Sequence, residues 1–266
     1  MDLQLRDRRA LVTGGSRGIG LSIATALAGE GVDVVLAARD AERVERAAAS
    51  LAESSGRKVI GLTVDTGDDA SVHAMAAAAT AALGGIDILV NNAAIPGGQS
   101  GPPKLADITT DSLWSDVNVK VMGYLRCARE LAPQMVERGW GRIINISGLA
   151  ARQTGSTIGS IRNVAVAALT ANLSDELSGA GINVTVVHPG LTRTEKTADV
   201  IAARARALGV DPGEVRRRMS AGIGIGRIVD AAEVADVVTF LASPRSVAIT
   251  GDGIAVGGGA RGAIHY

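Results

Sequence analysis

A doubly wound parallel sheet in a single α/β domain is the fold this sequence predicts, on three observations. Short β-rich runs alternate with helical stretches along the whole chain. Most of those runs are unbroken apolar segments, as strands covered by helices on both faces require. The first of them runs directly into a glycine-rich turn that opens an apolar helix, the arrangement of a nucleotide-binding α/β sheet.

The elements follow in order. Strands are expected at residues 9–13, 32–37, 59–64, 86–90, 142–147 and 182–187, with a last one near 254–256. Helical composition fills residues 19–29, 41–54, 69–82, 111–138, 164–177 and 231–241. Asp40 is placed to cap the second helix, because its short carboxylate can accept from the unpaired N–H groups of the first turn. No linker or internal repeat divides the chain, so residues 1–266 are read as one domain. Residues 191–226 break the rhythm: they scatter Arg193, Arg204, Arg206 and Arg216 to Arg218 among Asp211-Pro212-Gly213 and Gly222, Gly224 and Gly226. That segment reads either as a short helical insertion forming a substrate lid or as a solvated surface excursion.

Composition narrows the function. Basic and acidic residues balance at 27 each, so no overall field favours nucleic acid or an anionic membrane. Only five of 266 residues are aromatic, which leaves Ala, Val, Ile and Leu to build the core. The single cysteine, Cys127, excludes an internal disulfide framework and fits a reducing compartment. No signal-peptide pattern and no apolar run near the ~20 residues of a membrane span is present, so a cytoplasmic protein is expected. The three histidines are far apart in sequence and no Cys pair accompanies them, so no metal site is expected.

The turn Thr13-Gly14-Gly15-Ser16-Arg17-Gly18-Ile19-Gly20 lets the backbone pass close to a pyrophosphate, with helix N–H groups and positive dipole behind it. Asp65 follows the third strand, Asn91-Asn92-Ala93-Ala94 follows the fourth, and Asn118 lies on the next helix. Pro189-Gly190-x-x-x-Thr194 follows the sixth, and Thr250-Gly251 and Gly257-Gly258 come near the end. In this order these motifs resemble, over essentially the whole chain, the short-chain dehydrogenase/reductase family, with Ala94 in place of that family's final Gly. The resemblance implies a Rossmann-type sheet and a pyridine-nucleotide cofactor held by Gly14, Ser16, Arg17, Gly18, Ile19, Gly20, Arg39, Asp65, Asn91, Ala93, Pro189, Gly190 and Thr194. An Asp ending the second strand would accept from the ribose hydroxyls of NAD and repel a 2′-phosphate; this chain has Ala38 there, then Arg39. With Arg17 in the phosphate turn, two guanidiniums and no carboxylate favour NADP(H) over NAD(H).

The family's chemistry rests on a Ser after the fifth strand and a Tyr-x-x-x-Lys pair on the following helix. Neither Tyr124 nor Tyr266 has a Lys four residues on. The Ser position falls at Gly148, with Ser147 one residue early. Counting back from Ala168-Leu169-Thr170 puts the Tyr at Gly159 and the Lys at Asn163; counting forward from Gly148 gives Ile161 and Ala165. The candidate catalytic residues are therefore Asn118, Ser147 and His188. Asn118 is retained from the family's relay, and His188 stands at the end of the sixth strand, where an imidazole can shuttle a proton at neutral pH. Arg162 is adjacent to Asn163 but is a poor proton donor. The reading that follows is an oxidoreductase with an atypical active site, acting on a small carbonyl or alcohol. The alternative is a nucleotide-binding relative without redox activity: a regulatory subunit, or a lyase or isomerase. The family also implies a homotetramer or dimer through helices 111–138 and 164–177, whose alanines permit close approach.

Overall fold

The computed structural model describes residues 1–95 and 103–259. Its centre is a seven-stranded parallel sheet in the order β3-β2-β1-β4-β5-β6-β9. The strands are β1 (Arg9–Thr13), β2 (Asp33–Ala38), β3 (Val59–Thr63), β4 (Ile88–Asn91), β5 (Gly141–Ile146), β6 (Ile182–Pro189) and β9 (Gly253–Val256). The helices between them are α1 (Gly18–Gly29), α2 (Ala41–Ser55), α3 (Asp69–Leu83), α4 (Thr110–Val117), α5 (Gly123–Arg138), α6 (Thr157–Leu177) and α9 (Ala231–Ala242). Strand order reverses between β1 and β4, where an open α/β sheet leaves a crevice at its carboxyl ends.

Strand alternation assigns the side chains to two cores. Ala10 and Val12 of β1 pack with Ile23 and Leu27 of α1, Val44 of α2 and Val234 and Val238 of α9. Leu11, between them, faces the other way and joins Val72 and Met75 of α3 and Leu131 and Met135 of α5. The apolar runs of the sequence are thus covered on both faces. Asp40 caps α2 by accepting from the Arg43 N–H at 3.0 Å. Trp140, just before β5, lies under two guanidiniums, Arg8 at 3.8 Å and Arg142 at 4.6 Å from the ring centre. Trp114 on α4 is exposed.

Three expectations need correction. The helix expected at 111–138 is two α-helices joined by a π-helical turn over Asn118–Met122. That turn is held from outside: the Thr66 hydroxyl donates to the Val119 carbonyl at 3.0 Å, and Arg126 Nη1 donates to the Asn118 carbonyl at 3.2 Å. Gly123 permits the approach, since a Cβ there would lie 2.9 Å from Thr66 Cβ. The helix expected from 164 begins seven residues earlier, because Ser156 caps it by accepting from the Gly159 N–H. Residues 86 and 87 precede β4 rather than open it; the Asp87 carboxylate is held there by the Arg9 guanidinium at 2.7 and 2.8 Å.

Residues 191–226 form α7 (Thr197–Leu208) and α8 (Pro212–Ser220). They are flanked by the short strands β7 (Thr192–Arg193) and β8 (Val229–Asp230), which pair in parallel. Ile201, Ala205 and Val215 make a small core of their own between the two helices. Among the described residues no helix is long and apolar enough to cross a membrane.

Candidate active site

Two cavities open over the carboxyl ends of the strands. The first, about 520 Å³, is lined by Gly14, Ser16, Arg17, Gly18, Ile19, Ala38, Arg39, Ala93 and Thr194, together with Arg43, which pairs with Asp40 at 3.1 Å, and with Glu195 and Lys196. Its floor is tied together by Thr13 and Asn92. The Thr13 hydroxyl accepts from the N–H groups of Asn92 and Ala93 at 2.9 and 3.1 Å, and Asn92 Nδ2 donates to the carbonyls of Thr13 and Gly14 at 3.1 and 3.2 Å. The glycines are structural requirements of this cradle. Gly14 and Gly18 adopt left-handed φ of 64° and 56°. A Cβ on Gly20 would sit 2.3 Å from the Gly14 carbonyl oxygen. No side chain caps the N-terminus of α1, so its first-turn N–H groups face the cavity without a protein acceptor from a cap. Cradle, open helix terminus and basic rim together fit the pyrophosphate and phosphate groups of a dinucleotide.

Other sequence candidates lie around it. Asp65 is exposed and accepts from the Gly67 N–H at 2.9 Å, while its neighbours Val64 and Thr66 line the cavity. Asn91 is fully buried and donates through Nδ2 to Asn145 Oδ1 at 3.0 Å.

The second cavity, about 460 Å³, is lined by Ser147, Gly148, Arg162, Asn163, Pro189 and Gly190 among others. It brings together Gly148 and Asn163, the Ser and Lys positions of the first register, but not Gly159, the Tyr position. A Cβ on Gly148 would be 3.0 Å from Asn163 Nδ2, whereas Ile161 is exposed at 46%. Gly159 faces Ser156 and Ala150: a Cβ there would stand 2.7 Å from Ser156 Oγ, the hydroxyl that caps α6. The Ser147 hydroxyl donates to the Asn163 carbonyl at 3.0 Å. Arg162 forms a short ion pair with Asp116, and both side chains are only 14% exposed.

The remaining candidates behave as follows. Asn118 is directed away from the second cavity: Nδ2 donates to the Gly67 carbonyl at 3.0 Å, and Oδ1 accepts from Arg126 at 2.9 Å. His188 is buried on β6 and its Nδ1 has no hydrogen-bond partner. Burial, then the Arg152 charge, lowers its pKa from 6.5 to about 4, so the imidazole is neutral at pH 7. A depressed value means that the unfolded chain takes up a proton the native state refuses. The stability His188 contributes is complete above pH 6.5 and is lost as pH falls through about 4. Urea denaturation midpoints measured across that window should flatten in His188→Gln; an unchanged slope would remove His188 as the cause. Tyr124 is 1% exposed and donates its hydroxyl to the Ile146 carbonyl at 2.9 Å; burial pushes its pKa up. Tyr266 and His265 lie outside the described residues. Among the described residues no cluster of three metal-ligating side chains occurs.

One residue in this region was passed over in the sequence. Lys120, on the π turn, is 3% exposed and donates through Nζ to the Ser147 carbonyl at 2.9 Å and to Asn163 Oδ1 at 2.8 Å. It reaches, from the opposite helix, the position where the family resemblance expects a Lys.

Comparison with known proteins identifies the class. Residues 8–205 match the short chain dehydrogenase family model, and the chain belongs to that family. Dehydrogenase/reductase SDR family member 4 of Oryctolagus cuniculus is 34% identical over 96% of this chain and 94% of its own length. The short-chain reductase protein NovJ of Streptomyces niveus is 34% identical over 94% and 92%. Among solved structures, L-sorbose reductase of Gluconobacter frateurii, complexed with NADPH and L-sorbose, superposes with a TM-score of 0.92 at 30% identity, covering 99% of this chain and all of that one. Actinorhodin polyketide ketoreductase, a variant with NADPH, gives 0.86 at 33% identity over 95% and 96%.

Proposed function

We propose that this protein is an NADP(H)-dependent oxidoreductase interconverting a small carbonyl compound and its alcohol. The observation that carries the reading is the pair of cavities over the strand ends. One is a glycine cradle rimmed by Arg17, Arg39, Arg43 and Lys196, with Asp40 and Glu195 beside them; the other is a compartment lined by Ser147, Gly148 and Asn163. NADPH in two structural neighbours supports the same assignment.

The chain's residues divide the work. Gly14, Gly18 and Gly20 keep the turn low enough for a pyrophosphate to meet the N-terminus of α1. Arg17 and Arg39 neutralise a 2′-phosphate beside Ala38, where an acidic residue would repel it. Pro189 and Gly190 line the substrate compartment, and we assign α7 and α8, in the segment that follows them, as its lid. When bound, the cofactor supplies or takes the hydride. We assign no proton transfer to Tyr124, whose hydroxyl is committed to Ile146, nor to the neutral His188. Homo-oligomer formation through α5 and α6 belongs to the same reading.

A fluorescence titration tests the cofactor. NADPH is expected to bind at least about tenfold more tightly than NADH, and Arg39→Ala to erase most of that difference by removing a charge-assisted contact. Equal affinities in the wild type would overturn the cofactor assignment. Oxidation of NADPH against a panel of ketones, aldehydes and quinones tests the reaction. Tight binding with no turnover across the panel would favour a nucleotide-binding protein without redox activity.

A further inference from the structure

The substrate compartment has no phenol at the expected place, yet an amine reaches its edge. We propose that Lys120 is a positioning residue of this active site, its Nζ holding Asn163 Oδ1 so that Asn163 Nδ2 donates into the cavity over Gly148, where the substrate's reacting oxygen is held. The inference rests on the oxidoreductase reading above.

The geometry leaves the carboxamide one useful orientation. With Oδ1 accepting from Lys120 at 2.8 Å, the amide nitrogen must face the other way, and it lies 3.0 Å from where a Cβ on Gly148 would stand. Among the described residues Nδ2 has no hydrogen-bond acceptor, and both Asn163 and Gly148 line the cavity. A donor fixed from behind by a cation strengthens as negative charge develops on the oxygen it faces. Ser147 completes the brace: its carbonyl accepts from Lys120 at 2.9 Å, and its hydroxyl donates to the Asn163 backbone.

Charged groups converge on Lys120 from each neighbouring element. Asp116 on α4 and Arg162 on α6 form the ion pair beside it, His188 on β6 feels its charge, and Tyr124 stands one turn along its own helix, bonded to Ile146. Burial first, then Arg162, lowers the Lys120 pKa from 10.5 to about 7, against the opposing pull of Asp116. The cationic brace is therefore present at acid pH and fades as pH rises through neutrality. Reduction of a carbonyl should follow it downward.

Three full-length proteins test this: wild type, Lys120→Met and Lys120→Arg. In the wild type, kcat/KM for ketone reduction should fall as pH rises through about 7. Lys120→Met should lose about 100-fold in kcat, the scale of one lost oxyanion donor, with NADPH affinity held within about threefold. Lys120→Arg, which stays charged, should keep much of the rate and lose the pH limb. Wild-type kcat in Lys120→Met, or a limb that survives in either variant, would overturn the proposal. A structural clamp alone would not transfer the pH limb to residue 120.

A second measurement needs no turnover. The Lys120 Nζ resonance, assigned by its loss in Lys120→Arg, should titrate near neutrality and move by about half a pH unit or more when NADP+ saturates the protein. An unmoved midpoint sinks the proposal even if Lys120→Met fails to fold. If no ketone is reduced but the midpoint moves, the oxidoreductase reading fails while the placement of Lys120 at the site stands.

Discussion

Gly20→Ala should abolish useful nucleotide binding and weaken the fold at the same time. The added methyl would lie 2.3 Å from the Gly14 carbonyl oxygen and 2.5 Å from Asn92 Nδ2. Neither neighbour can retreat cheaply. Gly14 belongs to the turn itself, and Asn92 Nδ2 is already bonded to the carbonyls of Thr13 and Gly14. The remaining escape is for α1 to move outward, but Ile23, Ala24 and Leu27 on that helix are completely buried. Overpacking of this kind costs about 2–3 kcal/mol. A displaced helix N-terminus should lower NADPH affinity about 100-fold or more, the equivalent of some 2.7 kcal/mol. Denaturant midpoints and a fluorescence titration measure the two effects separately. A variant that binds NADPH like the wild type would show that the turn does not hold the pyrophosphate.

The second large effect is expected from Asp116→Asn. The Arg162 guanidinium is mostly buried, and its Nε already lacks a hydrogen-bond partner. Removing the opposing carboxylate leaves an uncompensated cation in a poorly hydrated place, at a cost of about 3 kcal/mol. The same carboxylate raises the proton affinity of Lys120, so its loss lets Arg162 depress that affinity further. The pH at which reductase activity declines should move downward in Asp116→Asn. Urea denaturation reads the first consequence and a pH–rate profile the second. If stability drops while the profile stays where it was, Asp116 supports the fold without tuning the site.

Much of the architecture was legible because its causes are local. Unbroken apolar runs can only be buried strands here, and the Asp40 cap announced α2 one residue ahead. The phosphate turn was equally plain, since glycines at 14, 18 and 20 answer to left-handed backbone and to a close approach that no side chain tolerates. The active end was less transparent. Lys120 is not legible from the family pattern, which has its Lys four residues after a Tyr on α6, whereas the structure supplies one four residues before Tyr124 across the π turn. A π turn adds no distinctive residue type to the sequence. Of its restraints, Thr66 comes from a distant part of the chain and Arg126 from one turn further along the same helix, and hydrophobic periodicity registers neither. One trace was present: Lys120 interrupts the apolar run Val119-Lys120-Val121-Met122, a placement that burial makes costly without a purpose. The start of α6 was missed for a related reason, since a Ser cap among Gly155 and Gly159 looks like loop until its hydrogen bond is seen.

The poverty of aromatic residues makes the molecule its own optical instrument. The chain has two indoles, and they occupy different neighbourhoods. Trp140 is stacked with guanidiniums at the amino end of β5, remote by that strand's length of about 20 Å from the cavities at its carboxyl end. Trp114 is exposed on the helix that also carries Asp116. Emission changes lost in Trp114→Phe would therefore follow events around α4 and its Asp116–Arg162 ion pair, while those kept would report on the amino end of β5.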